Sequence, residues 1–304
     1  MKIIKNSYIW FTISLLLILF SFGAIIATKL QTGSLLRYGI DFTGGTLMEV
    51  LVEKEEIGIE DAREALSLYK DFSPSVQETE KGAFIIKMKN LSNEEHDKII
   101  LTLKEKLGEL EETRFITIGP SIGETLKEKA VFAIVIAIIA IVFYIAFAFR
   151  ESQKRLSSWK FGVSAIIALI HDVIITVGVF TFLGFFLNAE VDALLITALL
   201  TILGFSVHDT IVTFDRVREN FKFARPSETF EEIAENAVKQ TMKRSINTSL
   251  STLFPLITLY LFGADNIKMF VLILIFGVIV GTYSSIFIAT AILVKWEGGD
   301  KVIR

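Results

Sequence analysis

The sequence predicts an α-helical membrane protein of six transmembrane helices, with a small α+β domain of ferredoxin-like order (βαββαβ) between spans 1 and 2. Three observations predict it. The 304 residues are 52% hydrophobic with a mean hydropathy of +0.56, above the roughly 45–50% apolar content of soluble domains. The excess is gathered into runs long enough to cross about 30 Å of hydrocarbon. One outward segment, 29–128, lacks such a run and instead mixes short alternating stretches with helical spacing, over about 100 residues, a common domain size.

The spans read from the apolar runs are Tyr8–Thr28, Lys129–Phe149, Phe161–Leu187, Ala193–Phe214, Ile246–Phe262 and Ile267–Val294. Lys2 and Lys5 before the first run suggest a signal peptide. Its apolar core is too long and no A-x-A site follows, so an uncleaved anchor is expected. Only four prolines against 26 phenylalanines suit a helical bundle. Gly277 and Gly281 form a GxxxG pair that permits close helix approach in the sixth span. Pro255 is expected to kink the fifth.

Orientation follows the Lys and Arg of short loops. Lys2 and Lys5 precede the first span; Arg150, Lys154, Arg155 and Lys160 fill loop 150–160; Arg216, Arg218, Lys222, Arg225, Lys239, Lys243 and Arg244 fill loop 215–245; Lys295, Lys301 and Arg304 lie in tail 295–304. The alternate loops, Asn188–Asp192 and Gly263–Asn266, have none. Both termini are therefore expected in the cytoplasm of a multi-pass protein of the cytoplasmic (inner) membrane. The layout is then 1–28 (terminus and first span), 29–128 (extracytoplasmic domain), 129–294 (five further spans) and the tail.

Within 29–128, Thr46–Glu53 alternates as a strand and Ile59–Tyr69 has helical spacing. Val76–Thr79 and Ala83–Lys89 form a hairpin around Lys81-Gly82, Ser92–Leu107 is a helix and Arg114–Ile118 alternates again. Ser92 followed by Glu95 is a capping box. The order βαββαβ is that of a helix-on-sheet ferredoxin-like domain.

Ionisable residues inside spans point to function, because a charge at the bilayer centre costs at least ~2.5–3.5 kcal/mol. His171-Asp172 falls near the middle of the third span, and His208-Asp209 towards the cytoplasmic end of the fourth. Burial raises an aspartate's proton affinity and a nearby cation lowers it, so a balanced aspartate can exchange a proton as helices move. Arg244, at the cytoplasmic start of the fifth span, is the candidate cation, or alternatively a positive-inside anchor. Thr210, Thr213, Ser245, Asn247, Thr248 and Ser249 offer groups for a proton path. The bland alternatives are that the histidines are hydrogen-bonded packing residues and that Asp209 reaches the interface.

Several classes are excluded. With no cysteine there is no disulfide, thiolate catalysis or Cys metal site. No Walker loop, GxSxG, HExxH or dinucleotide fingerprint is present, so neither an enzyme nor an ATPase is expected, and no metal or catalytic residue is assigned. Loop 215–245 balances acid with base and lacks an aromatic platform, so nucleic acid is not a partner. It reads instead as an amphipathic helix around Phe230–Val238.

The motifs together resemble the SecD/SecF family of protein-export membrane proteins, within the RND superfamily. RYGIDFTGGTLMEV (Arg37–Val50) resembles the signature opening its periplasmic domain, and Gly119-Pro120-Ser121-Ile122-Gly123 its G-P-S-x-G. AIIALIHDVIITVG (Ala165–Gly178), LGFSVHDTIVTFDRVREN (Leu203–Asn220) and KRSINTSLST (Lys243–Thr252) resemble the third, fourth and fifth spans of SecF. The resemblance covers nearly the whole chain. It implies one RND-type half acting with SecD as an accessory of the SecY translocon (SecYEG), with YajC as a further partner. Its substrate would be unfolded secretory polypeptides, it would sit in membrane lipid, and it would use the proton-motive force with no cofactor. It implies that Asp209 couples protons with Arg244 paired to that function, that Asp172 holds the family's third-span His-Asp position and joins His171 and His208 as further proton-coupling candidates, and that Asp41, Phe42, Gly44 and Gly45 form the domain base. His208 stands where the resemblance leads one to expect Asn. It either adds a titratable group or replaces an amide hydrogen bond. The competing readings are an RND-type exporter of small molecules, for which the outer domain is too small, and a non-transporting scaffold of the translocon.

Overall fold

The computed structural model describes residues 2–52, 57–79, 82–149 and 158–298. Glu53, Lys81, Arg150, Lys154, Arg155, Lys301 and Arg304, used in the sequence reading, lie outside the described residues. The chain divides into two units, one of Met1–Arg37, Ala133–Ala189 and Leu194–Arg304, the other of Tyr38–Phe132 with Glu190–Ala193.

Among the described residues, the regular structure of the first unit is all helical. Its spans are α1 (Ser7–Thr32), α5 (Pro120–Ala148, whose first half belongs to the other unit), α6 (Ser158–Leu187), α7 (Ala193–Lys222) and α8 (Phe230–Phe262). The sixth is composite: α9 (Asp265–Ser284), a π-helical turn at Ser285–Ala289 and α10 (Thr290–Glu297). All six are long and apolar enough to cross a membrane. The amphipathic helix expected around Phe230–Val238 is not separate. It is the first turns of α8, because nothing between Phe230 and Ile246 breaks a helix. Thr229 starts it with a capping box, its hydroxyl accepting the Glu232 amide while Glu232 accepts the Thr229 amide at 3.0 Å. Pro255 lies inside α8, which runs on to Phe262.

Small residues let these helices approach. A Cβ at Gly178 of α6 would overlap Ser21 of α1, and a Cβ at Gly277 of α9 would overlap Ile202 of α7. At Gly281 it would stand 3.0 Å from Ser206 Cβ. Phe149, Phe161 and Phe214 stack in one aromatic knot, with centroids 5.3 to 6.1 Å apart. Beside it the Glu235 carboxylate accepts the Ile3 amide at 2.9 Å and the Ile4 amide at 2.7 Å, which fastens the start of the chain to α8.

The second unit has the βαββαβ order. It comprises α2 (Ile40–Thr43), β1 (Gly45–Val52), α3 (Ile59–Ala65), β2 (Ser75–Glu78), β3 (Ala83–Met88), α4 (Asn93–Leu107) and β4 (Leu110–Ile118). The sheet order is β2-β3-β1-β4, antiparallel throughout. Thr46, Met48, Val50 and Val52 point inward from β1 at period two, against Ile99, Leu103 and Leu107 of α4 and Ala62 and Ala65 of α3. Ser92 and Glu95 cap α4 reciprocally, as the spacing predicts. The helix expected over Ile59–Tyr69 ends early. From Leu66 to Phe72 it tightens to a 3₁₀ helix, and the Tyr69 hydroxyl meets Thr102 at 2.8 Å. Strand β4 starts four residues before the predicted Arg114, because Glu111 and Glu112 disguise it. Its register also slips at a bulge beside Glu49/Val50.

The base of this unit requires glycine. Gly44 and Gly45 have φ of +71° and +140°, conformations that side chains resist. A Cβ would stand 2.7 Å from Pro120 Cα at Gly44, 2.7 Å from the Met88 carbonyl at Gly45 and 2.7 Å from the Gly44 nitrogen at Gly123. The two glycine motifs of the sequence, at 44–45 and 119–123, thus interlock. Gly45→Ala is expected to cost about 1–3 kcal/mol in backbone strain alone, whereas Gly119, with open space around it, tolerates Ala. Protease resistance of the unit within the full chain distinguishes the two variants.

His96 gives the unit a pH dependence. Its Nε2 lies 2.9 Å from Glu112 and its Nδ1 3.1 Å from Asp97. Burial of the ring lowers its pKa, but the hydrogen bonds and charges of Glu112 and Asp97 outweigh it and hold the pKa above the usual histidine value. A raised folded value gives stability that is complete below the unfolded value near 6.5 and is lost as pH rises through the folded value. Unfolding followed over that window should show the loss, and His96→Gln should flatten it.

Candidate functional site

The site lies in the helical unit and is built on two buried carboxylates. Asp172 of α6 is 1% exposed and Asp209 of α7 is 6% exposed. A buried charge needs partners, and short hydroxyl side chains from neighbouring helices supply them. Asp172 Oδ2 accepts Ser206 Oγ of α7 at 2.5 Å and Ser284 Oγ of α9 at 2.7 Å. Asp209 Oδ1 accepts Ser245 Oγ of α8 at 2.6 Å, and its Oδ2 accepts Ser285 Oγ from the π turn. Each carboxylate is therefore gripped by two serines from two other elements, and adjacent serines of the sixth span reach different aspartates.

His171 extends the Asp172 side. Its Nδ1 lies 2.8 Å from Asp172 Oδ1 and its Nε2 2.9 Å from Ser14 Oγ of α1. Ser14 Oγ lies 3.1 Å from the Tyr283 hydroxyl, which donates to the Trp10 carbonyl at 2.8 Å. Donor counting fixes the protons. Tyr283 has spent its proton on a carbonyl, so Ser14 donates to Tyr283 and must accept from His171 Nε2. Nε2 therefore carries a proton, and Nδ1 and Oδ1 share one more between them. A neutral imidazole against an ionised carboxylate would set lone pair against lone pair at 2.8 Å.

Other residues singled out in the sequence fall elsewhere. Arg244 is exposed and, among the described residues, makes no ion pair or hydrogen bond. Successive residues of a helix point about 100° apart. Because Ser245 turns in to Asp209, Arg244 turns away, and the expected Arg244–Asp209 pairing is not formed. His208 is exposed for the same reason, beside the inward Asp209. Among the hydroxyls, Thr213 donates to the Asp209 carbonyl at 3.3 Å, and Ser249 meets Thr282 at 2.5 Å. Thr210 is buried, Thr248 half-buried and Asn247 exposed. Among the described residues no cluster of three His, Asp or Glu side chains suits a metal.

The domain-base residues lie in the α+β unit. Asp41 Oδ2 accepts the Ala193 amide at 2.9 Å. The buried Phe42 meets Tyr38 edge-on with centroids 6.3 Å apart. Tyr38 bridges Val191, and Lys87 pairs with Glu190 at 2.9 Å, so the short segment Glu190–Ala193 belongs structurally with the base. Sequence reasoning missed it, along with Ser206, Ser284, Ser285, Ser14 and Tyr283. One signal was available for the serines of the sixth span. Gly277, Gly281 and Ser284/Ser285 are spaced by four and then three or four, which is one face of a helix.

Two family profiles match the chain. "Protein export membrane protein SecD/SecF, C-terminal" matches residues 99–299, and "SecD/SecF GG Motif" matches residues 36–56. The chain belongs to the SecD/SecF family. Among SecD/SecF relatives it is 42% identical to protein translocase subunit SecF of Thermobaculum terrenum, over 87% of this chain and 86% of that one. It is 35% identical to protein translocase subunit SecF of Anaerolinea thermophila, over 99% and 95%. A solved structure, the translocon-associated membrane protein SecDF of Thermus thermophilus, matches with a TM-score of 0.83 and 32% identity, over 97% of this chain but only 38% of that longer one. The SecD/SecF GG motif includes Asp41, Phe42, Gly44 and Gly45, the residues of the glycine-dependent base.

Replacing Asp172 tests the hydrogen-bond network. Asp172→Asn keeps an acceptor for the serines and is expected to fold. Asp172→Leu strands His171 and Ser206 without an acceptor, each costing about 1–3 kcal/mol, and leaves Ser284 only the Gly281 carbonyl, so its melting temperature in detergent should fall well below that of Asp172→Asn.

Proposed function

We propose that the chain is the SecF-type half of a proton-driven accessory to the Sec protein translocase, working with a SecD-type half to promote export of unfolded polypeptides. The observation that carries the reading is the pair of buried, serine-gripped aspartates, Asp172 and Asp209, in a chain that has the family's GG motif. Carboxylates buried in spans and gripped by rotatable hydroxyls, with His171 also on Asp172, suit proton exchange better than anchoring, because the same hydroxyls can donate to a carboxylate or accept from a carboxylic acid.

The SecD-type partner is supported by the comparison with SecDF, of which this chain spans 38%, and by the exposed polar side chains of His208 and Arg244 on apolar spans, which need covering in a membrane. A partner seated there would give Arg244 the carboxylate it lacks in the isolated chain. SecYEG and YajC follow as further partners from the same family reading. The protein would reside in the cytoplasmic membrane with both termini in the cytoplasm and the α+β unit outside, as the Lys and Arg distribution indicates. No cofactor is required: one proton crossing ~100 mV releases about 2.3 kcal/mol. Protonation of Asp209 would loosen its hold on Ser245 and Ser285 and let α8 and the sixth span shift. Helix α5 would carry the movement towards the α+β unit, since it continues from one unit into the other.

In the assembled complex, Asp209→Asn should abolish the part of export that depends on the gradient and leave the ATP-driven part intact. Export at the full rate in this variant would refute proton coupling at Asp209 and leave the scaffold reading. Raised drug susceptibility on deletion would favour small-molecule export.

A further inference from the structure

We propose that the consecutive serines Ser284 and Ser285, carried into the π-helical turn of the sixth span, are positioning residues that couple protonation of Asp172 to protonation of Asp209. The inference rests on the reading of both aspartates as proton sites and deepens it.

Neighbouring positions on a helix diverge by about 100°. Ser284 and Ser285 can therefore serve carboxylates on two different helices only because the sixth span lies in the groove between α6 and α7, where Gly277 and Gly281 admit it. Each serine has one proton and two acceptors in reach. Ser284 Oγ lies 2.7 Å from Asp172 Oδ2 and 3.1 Å from the Gly281 carbonyl. Ser285 Oγ is bonded to Asp209 Oδ2 and lies 3.1 Å from the Thr282 carbonyl. When the facing oxygen gains a proton it becomes a donor. The serine that takes this proton must then turn its own to the backbone; on Asp172 Oδ2 that serine is Ser284 or Ser206, and on Asp209 Oδ2 it is Ser285.

Those two carbonyls also share the Ser285 amide. A hydroxyl arriving at Gly281 or Thr282 therefore competes with the amide that holds the turn, and the turn carries both serines. Single π turns inside helices are rare and concentrate at functional sites. Thr290, just past the π turn, is buried with no partner for its hydroxyl, as is Thr176 of α6. The other titratable groups of the network are His171, on Asp172 Oδ1, and Tyr283, reached through Ser14. Among the described residues no Lys or Arg is bonded to either aspartate, and His208 and Arg244 turn outward.

The test is infrared titration of carboxylic acid bands in the full chain with its partner half in liposomes, the Asp172 band being identified by its loss in Asp172→Asn. With both serines present, Asp209→Asn should shift the Asp172 midpoint by about half a pH unit or more, threefold in proton affinity. In Ser284→Ala or Ser285→Ala backgrounds that shift should vanish, and Ser285→Thr, which keeps the hydroxyl, should restore it. Melting temperatures confirm that each variant is folded, and an alanine variant that fails to fold is replaced by glycine at the same position, which also removes the hydroxyl and adds no volume. An Asp172 midpoint indifferent to Asp209→Asn, or a shift that survives loss of the serine hydroxyls, overturns the proposal. If Asp209→Asn still abolishes gradient-driven export in either case, the proton-site reading stands and only the serine link falls.

Discussion

Two carboxylates inside a bundle of apolar helices set the terms for the rest of the helical unit. Each must find donors, because an unpaired polar group there costs kcal/mol that a marginally stable protein lacks. The donors here are serines, whose reach is a single carbon. A serine can serve a carboxylate on another helix only if the two backbones come close, and that demands small residues at the crossing. Gly277 and Gly281 against Ile202 and Ser206 meet this demand between the fourth and sixth spans, as Gly178 against Ser21 does between the third and first. The GxxxG pair is therefore the steric condition under which Ser206 and Ser284 meet on Asp172.

The choice of serine over a cation has chemical consequences. A Lys or Arg at these distances would stabilise only the ionised form and lock the site. A hydroxyl is both donor and acceptor, so a serine cage accommodates either protonation state by rotation about one bond. The His171–Asp172 pair shows the complementary arrangement: His171 links the carboxylate through Ser14 and Tyr283 to a chain that ends at the Trp10 carbonyl. The α+β unit meets its own constraint by a different route, with glycine where the backbone turns left-handed and where Pro120 and Met88 leave no room for a side chain.

Much of this was legible in the primary structure, and the exceptions follow a pattern. The spans, the βαββαβ order, the Ser92–Glu95 cap and the intramembrane aspartates Asp172 and Asp209 depend on local periodicity or on one residue type in the wrong solvent. The failures concern direction and partnership. Arg244 looked like the partner of Asp209, but spacing along a chain does not say which of two neighbours turns inward, and Ser245 does. Serine is common in spans and carries no charge, so Ser284 and Ser285 raised no alarm. Nor did Glu190 and Val191, in a loop too short to read. The early start of β4 was hidden by Glu111, which is exposed, and Glu112, which lies on the opposite face, half-buried against His96.

The sequence by itself determined that the chain crosses a membrane six times, that a ferredoxin-like domain interrupts it, and that Asp172 and Asp209 lie where a charge is expensive. Those facts follow from hydropathy and periodicity, which act along the chain. Tertiary structure decided which groups relieve that expense. Hydrogen bonds reach about 3 Å in space between residues such as Asp172 and Ser284 that are 112 positions apart, and only the packing of helices brings those atoms together.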